Sequence, residues 1–391
     1  LFRALMAVYV LSQTGGLISA TEAGDSITTQ SPALAGATIL GKGGNDTITT
    51  LALDNKSAVG YQVKGGAGAD TISIASGSFS AGEITVFGGA GNDSIDITGG
   101  KAASVKTQGG ADQFSAEGTT ITTLTVGAGN DSVLFTGTVT NLGLGGGADQ
   151  LTGSLTLATG AAIKLGDGKD TINLTISGQG TGTIYGDQQA TSAGADKIEV
   201  DIVGVAGMSI KGAGGNDTIT IDSAAASSFI AGNAGADRIT VSGVLQDNLT
   251  VRGGSGNDTV EIFTGAALNG KSALIALGDG ADSLTLDGVL TDTQNASAFI
   301  IAGGAGADSI NFSGAFVTGG YTIGTLSFSS MSDSNLAATD TVAINVEIVA
   351  AGVAALAAPV NPLAGVSHNL SLGQLLPCKI ELTGKFKGDN V

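Results

Sequence analysis

The feature that most restricts this chain is a six-residue glycine turn that returns about every 22 positions. Gly65-Gly66-Ala67-Gly68-Ala69-Asp70 runs into Thr-Ile-Ser-Ile, and Gly88-Gly89-Ala90-Gly91-Asn92-Asp93 into Ser-Ile-Asp-Ile. Gly253-Gly254-Ser255-Gly256-Asn257-Asp258 runs into Thr-Val-Glu-Ile, and Gly303-Gly304-Ala305-Gly306-Ala307-Asp308 into Ser-Ile-Asn-Phe. The shared pattern is G-G-x-G-[NA]-D-x-U-x-U, where U is a large apolar residue. Aligned on the acid, it recurs at Asp46, Asp70, Asp93, Asp112, Asp131, Asp149, Asp170, Asp196, Asp217, Asp237, Asp258, Asp282 and Asp308, with weak copies at Asp25 and Asp340. A short repeat of this kind cannot bury its apolar face alone; it is stable only when stacked on its neighbours.

Each repeat has one internal plan. After the aspartate comes a period-two stretch, which reads as a strand with one buried face. A small or polar stretch follows, such as Ala75 to Gly82, and then a second alternating stretch, such as Glu83-Ile84-Thr85-Val86-Phe87. Two strands and two turns make one coil. The expected fold is all-β: a parallel β-solenoid of about 20–22 residues per coil, with N- and C-terminal capping segments. The expected organisation is a terminal cap or targeting segment at 1–23, the solenoid at 24–348, and an Ala- and Pro-containing cap or assembly tail at 349–391. Within 1–23, Leu1 to Ser12 reads as a short apolar helix covering the first coil, or as a secretion segment. The tail reads as an added strand pair or as a docking segment.

The glycines suit a turn whose backbone angles few other residues adopt, and the frequent Asn before Asp suits the same requirement. The recurring aspartate needs a separate reason. Thirteen carboxylates stacked on one edge at strand spacing repel one another. The composition sharpens the problem: 34 acidic residues face 16 basic ones, a net charge of −18. A cation between the acids resolves it. Calcium, a hard ion taking 6–8 oxygen ligands from carboxylates and carbonyls, fits better than magnesium. One His and one Cys make zinc unsuitable. The thirteen aspartates are therefore the expected metal ligands, and Ca2+ in multiple copies the expected cofactor.

The repeat resembles the G-G-x-G-x-D-x-U-x nonapeptide of the RTX, or hemolysin-type calcium-binding, family. The resemblance covers about residues 24–315. It implies an RTX-like β-roll with calcium bound in the turns, and a likeness to bacterial S-layer and surface-coat proteins. This chain keeps the motif at one turn per coil, so the implied calcium ladder lies on one edge. Two copies depart from the pattern: Gln108-Gly109-Gly110-Ala111-Asp112 is one residue short, and Gly186 to Ala195 is expanded.

Other chemistry is poorly represented. Nucleophilic catalysis through His would rest on His368 alone, and no Gly-Lys-Ser/Thr phosphate loop follows the glycine runs. Scarce basic residues argue against a nucleic-acid partner, and no apolar run is long enough to span a bilayer. The leading expectation is a non-enzymatic, extracellular or cell-surface structural protein that assembles with copies of itself into a layer or filament. Cell-surface polysaccharide is a second candidate partner. A virion tail or fibre protein, a calcium-sensing secretion module, and a solenoid enzyme acting on polysaccharide stay open as alternatives. The enzyme reading would rest on Arg238 and Arg252 beside Asp237, residues whose favoured reading is ion pairs at a turn.

Overall fold

The computed structural model describes residues 8–11, 16–29, 36–50, 60–75, 84–178, 180–187, 194–223, 227–243, 248–264, 272–288, 290–292, 298–306, 308–318, 326–328, 341–350 and 379–382. These residues form thirty β-strands and no helix. The strand pairings are parallel, and strands pair with their equivalents one coil away. The architecture is a parallel β-solenoid. It divides into two compact units, Leu1–Gln188 and Gln189–Val391.

In the first unit each coil contributes two walls. Strands that run into the glycine turn, such as Tyr61–Ala67 and Ile84–Ala90, form a leading wall. Strands that follow the aspartate, such as Thr71–Ala75 and Ser94–Thr98, form a trailing wall. Alternation sends every second side chain inward. Ile39, Val63, Val86, Val105, Leu124, Leu142, Ile163 and Ile184 line the leading wall, each at most 2% exposed. Ile27, Ile48, Ile72, Ile95, Phe114, Val133, Leu151 and Ile172 line the trailing wall to the same depth. β-branched and aliphatic residues stack well on pleated parallel sheets buried on one face. The interior also takes rings: Phe114 and Phe135 meet edge to face at 6.3 Å. Phe135 fits because Ala116 and Gly153 flank it in register.

Two of the tightest coils, from Asp112 to Asp131 and from Asp131 to Asp149, have no separate second turn. There single strands, Gln113–Ala128 and Ser132–Gly146, pass through both walls. Gln150–Asp167 does the same in a coil of 21 residues, whereas after Asp70 residues 76–83, between the two walls' strands in the chain, lie outside the described residues.

The second unit repeats the plan. Ile198, Ile219, Ile239, Val260 and Leu284 stack on the trailing wall, and Ile210, Ile230, Val251, Ile275 and Ile301 on the leading wall, all at most 1% exposed.

The ends differ from expectation in one respect. Val8–Leu11, inside the segment expected to be helical, is a strand paired in parallel with Ser26–Thr29. The open edge of the first coil offers unmet backbone donors and acceptors, and the β-formers Val8, Tyr9 and Val10 satisfy them by adding a strand. Residues 1–7 lie outside the described residues. In the tail, Lys379–Leu382 pairs with Thr341–Ala350. His368, Cys378 and Asp340 fall outside the described residues.

Candidate metal-binding turns and the aspartate ladder

Positive φ marks two positions of each glycine turn among the described residues. Gly66 (φ 121°) and Gly89 (φ 132°) stand in register at the second position, and a Cβ on Gly89 would strike the backbone of Gly66. Lys42, Gln108, Ala213 and Asn233 hold the same position with φ near 80–90°. Gln108 therefore fills a full-length turn whose first residue is Thr107; the turn before Asp112 is substituted, not shortened.

The residue before the aspartate corrects a second expectation. Asn45, Asn92, Asn130, Asn216 and Asn257 are not among the described residues with positive φ. Their side chains serve instead. Each Asn Oδ1 accepts the backbone N–H of the Ala one coil later: Ala69, Ala111, Ala148, Ala236 and Ala281, at 2.8–2.9 Å. In all five cases the Asn is thus followed by Ala at that position one coil later.

The aspartates form a ladder in each unit. In the first, the backbone N–H of Asp25 donates to Oδ1 of Asp46, and the relation repeats through Asp70, Asp93, Asp112, Asp131, Asp149 and Asp170, at 2.7–2.9 Å. In the second it runs from Asp196 through Asp217, Asp237, Asp258 and Asp282 to Asp308, at 2.8–3.1 Å. Backbone carbonyls join in: Asp46 O accepts from Thr71 N, and Asp70 O from Ser94 N. Each carboxylate–amide bond is charge-assisted and worth about 1.5–3 kcal/mol.

All thirteen expected ligands thus lie on this ladder within their units, but not on a solvated rim. Each is at most 2% exposed. Asp25 joins them at 0%, and Asp187, which no copy of the motif signalled, is buried at 1%. A Gly-Asp pair closing the strand Gly182–Tyr185 is its only sequence mark.

Burial leaves a problem at the second oxygen. Oδ2 of Asp46, Asp70, Asp93, Asp131, Asp149, Asp237, Asp258 and Asp282 is enclosed without a hydrogen-bond partner. Desolvation, the largest cause, raises these carboxyls. Asp93 and Asp258 reach about 7, and Asp46, Asp131, Asp149 and Asp170 about 6. Asp70, Asp112, Asp237 and Asp282 are raised for the same reason. The amide bond from the preceding coil pulls the other way, and charges on neighbouring rungs of Asp93 and Asp258 add to the rise. At Asp112 the Thr107 hydroxyl also lowers it.

The first residue of the turn decides what Oδ2 meets. In glycine-first turns Oδ2 leans over a missing Cβ. At Gly88 a Cβ would lie 2.5 Å from Asp93 Oδ2 and 2.7 Å from Thr107 O. Oδ2 of Asp70 and Gly88 O converge likewise on Gly65, and Oδ2 of Asp258 and Leu277 O on Gly253. A carboxylate oxygen and a carbonyl converging in this way suit a hard cation. Elsewhere the register position holds Val126, Leu144, Leu165 or Leu277, all fully buried. Apolar side chains there supply no ligand. No group of three acidic, His or Cys side chains that could hold an ion is present among the described residues. A carboxylate oxygen and a carbonyl converge in this way at the glycine-first turns of Asp46, Asp70, Asp93 and Asp258, whereas hydrocarbon takes that place at Asp131, Asp149, Asp170 and Asp282.

Arg238 and Arg252 do not converge on Asp237. Arg238 pairs with Glu261 at 2.6 Å, and Arg252 lies 5.6 Å from the ring centre of Phe229. No protein-family model, curated protein or solved structure matches the chain.

Proposed function

We propose that this chain is a non-enzymatic structural protein of the cell exterior, assembling with copies of itself into a layer or filament, with its turns held by calcium as in the RTX repeats it resembles. The observation that carries the reading is the set of buried aspartates, Asp46, Asp70, Asp93 and Asp258 among them, whose Oδ1 is committed to the backbone while Oδ2 has no hydrogen-bond partner. A buried carboxylate without compensation costs several kcal/mol. A divalent ion beside Oδ2 offsets that cost in the turns that begin with glycine. There the ladder residues Asp46, Asp70, Asp93 and Asp258 supply carboxylate oxygen, and the neighbouring coil supplies carbonyl oxygen. The extended parallel sheets give each unit broad faces of short Thr and Ser side chains, a surface suited to packing against copies.

The test combines electron microscopy with light scattering, with calcium present, after chelation, and after calcium is restored. Ordered assemblies should form, dissolve on chelation and return with calcium. Assemblies that survive complete metal removal would refute the calcium dependence. A chain that stays monomeric in calcium would refute the assembly role.

A further inference from the structure

The net charge of −18 hides how the surface is built. Fifteen aspartates, the thirteen of the motif with Asp25 and Asp187, are buried. Setting them aside leaves the remaining formal charge at −3. Among the described residues the outward charges are sorted by wall.

In the first unit the leading wall carries Lys64, Lys106 and Lys164 at one outward register position, with Lys42 and Lys101 near its margins. Lys64, Phe87 and Lys106 occupy consecutive coils, with the Lys64 ammonium 5.2 Å from the Phe87 ring centre. Among the described residues, the acids beside this wall are Glu22 and Asp167, both in turns. Among the described residues, the trailing-wall strands of the same unit carry no basic residue. Its outward charges are Asp96 and Glu117, both exposed, beside Leu134 at 53% exposure.

The second unit repeats the sorting. Its leading wall carries Lys211 and Arg252, which approach the Phe229 ring to 5.9 and 5.6 Å. Asp279 again sits at a turn mouth. Its trailing wall carries Glu199, Asp201, Asp222, Glu261 and Asp287. The cations there, Lys197 and Arg238, are tied to Glu199 and Glu261 at 2.7 and 2.6 Å. Val203 and Phe263, 52% and 39% exposed, lie on the same wall.

We infer that the leading wall of one copy docks on the trailing wall of a second copy. This rests on the proposed assembly role and names its contact. Opposite charges on opposite walls make a head-to-tail interface, which propagates instead of closing into a dimer. Short side chains between the charges permit close approach, and the exposed Leu134, Val203 and Phe263 gain by being covered. Complementary rows of charge also set orientation and repel like walls.

The test is a charge-reversal pair. One variant carries Lys64→Glu and Lys106→Glu; the other carries Asp96→Lys and Glu117→Lys. Each alone should lose assembly by sedimentation while keeping its β-signal. An equimolar mixture should assemble again, because the reversed leading wall meets a reversed trailing wall. A salt titration of the unaltered chain keeps the question answerable if a variant fails to fold. Raising ionic strength from about 0.01 M to about 1 M shortens the screening length from about 30 to about 3 Å and should dissolve the assemblies with the fold intact. If both variants assemble as the parent does, or the assemblies ignore salt, the docking mode is wrong while the assembly role stands. If the parent never assembles in calcium, the assembly role itself fails. Loss of binding to a soluble anionic polysaccharide on Lys64→Glu/Lys106→Glu, with assembly unchanged, would overturn the inference by giving the leading wall a carbohydrate partner.

Discussion

The backbone N–H of Asp70 donates to Oδ1 of Asp93, 23 residues later in the chain, at 2.9 Å. The two residues are one rung apart on a ladder that ties successive coils through their turns. A turn needing only tight backbone angles would not require an acid there. The acceptor role accounts for part of the recurrence of aspartate, and the partnerless Oδ2 is what remains for a cation to explain.

Removing one rung should separate these roles. Asp93→Ala leaves the Asp70 amide buried without its acceptor, at a cost of about 1–3 kcal/mol. Asp93→Asn keeps an acceptor and removes the charge. Chemical denaturation in chelator above pH 7 should show Asp93→Asn at least as stable as the parent, and Asp93→Ala well below it. In calcium the order of Asn and parent should invert. A destabilised Asn variant in chelator would show that the buried charge is no burden.

The pH dependence follows from the raised carboxyls. A carboxyl with a folded pKa near 6–7 against an ordinary 3.8 binds its proton more tightly when folded. Its stabilising contribution is full below about pH 4 and is lost as pH rises through 6–7. Metal-free protein should therefore melt at higher temperature at pH 5 than at pH 8, against the common trend for paired surface carboxylates. Saturating calcium should flatten or reverse this. Melting curves at both pH values, with and without calcium, decide it, and a metal-free protein more stable at pH 8 would count against buried, uncompensated carboxylates.

Ion stoichiometry should fall short of one per aspartate. Glycine-first turns expose Oδ2 to a converging carbonyl, whereas Val126, Leu144, Leu165 and Leu277 fill the equivalent position with hydrocarbon. Calorimetric titration should count fewer ions than the thirteen motif aspartates. Gly88→Val should abolish one of them, with Asp131→Asn leaving the count unchanged. A count matching all thirteen would show that apolar-first turns bind as well.

The turn backbone is itself a sensitive point. Gly89→Ala places a Cβ at φ 132° against the Gly66 backbone. Strain of this kind costs on the order of 1–3 kcal/mol, and the same change at Gly109, which has open space around it, should cost far less. Equal losses at both sites would remove the steric argument.

Repetition alone determined the architecture. A glycine turn and two alternating stretches per coil leave stacking as the way to bury Ile48, Ile72 and Ile95, because a single coil has no interior. The recurrence of Asp at one point of the coil also located its ladder. Tertiary structure decided which way the aspartates face, since stacking turns their carboxylates inward to the amides of the preceding coil. It decided that Asn92 is present for its Oδ1 and not for its backbone, because the Ala111 amide it serves is brought within reach by the next coil. It decided that Gln108 completes a turn, that Asp187 is buried, and that Val8–Leu11 is a strand, since an exposed sheet edge recruits nearby chain whatever its local preference. The sorting of Lys64 and Lys106 from Asp96 and Glu117 onto opposite walls is likewise invisible in linear order, where they alternate along the chain. Period fixes which residues share a coil position; only folding assigns that position to the interior, the turn or an outer face.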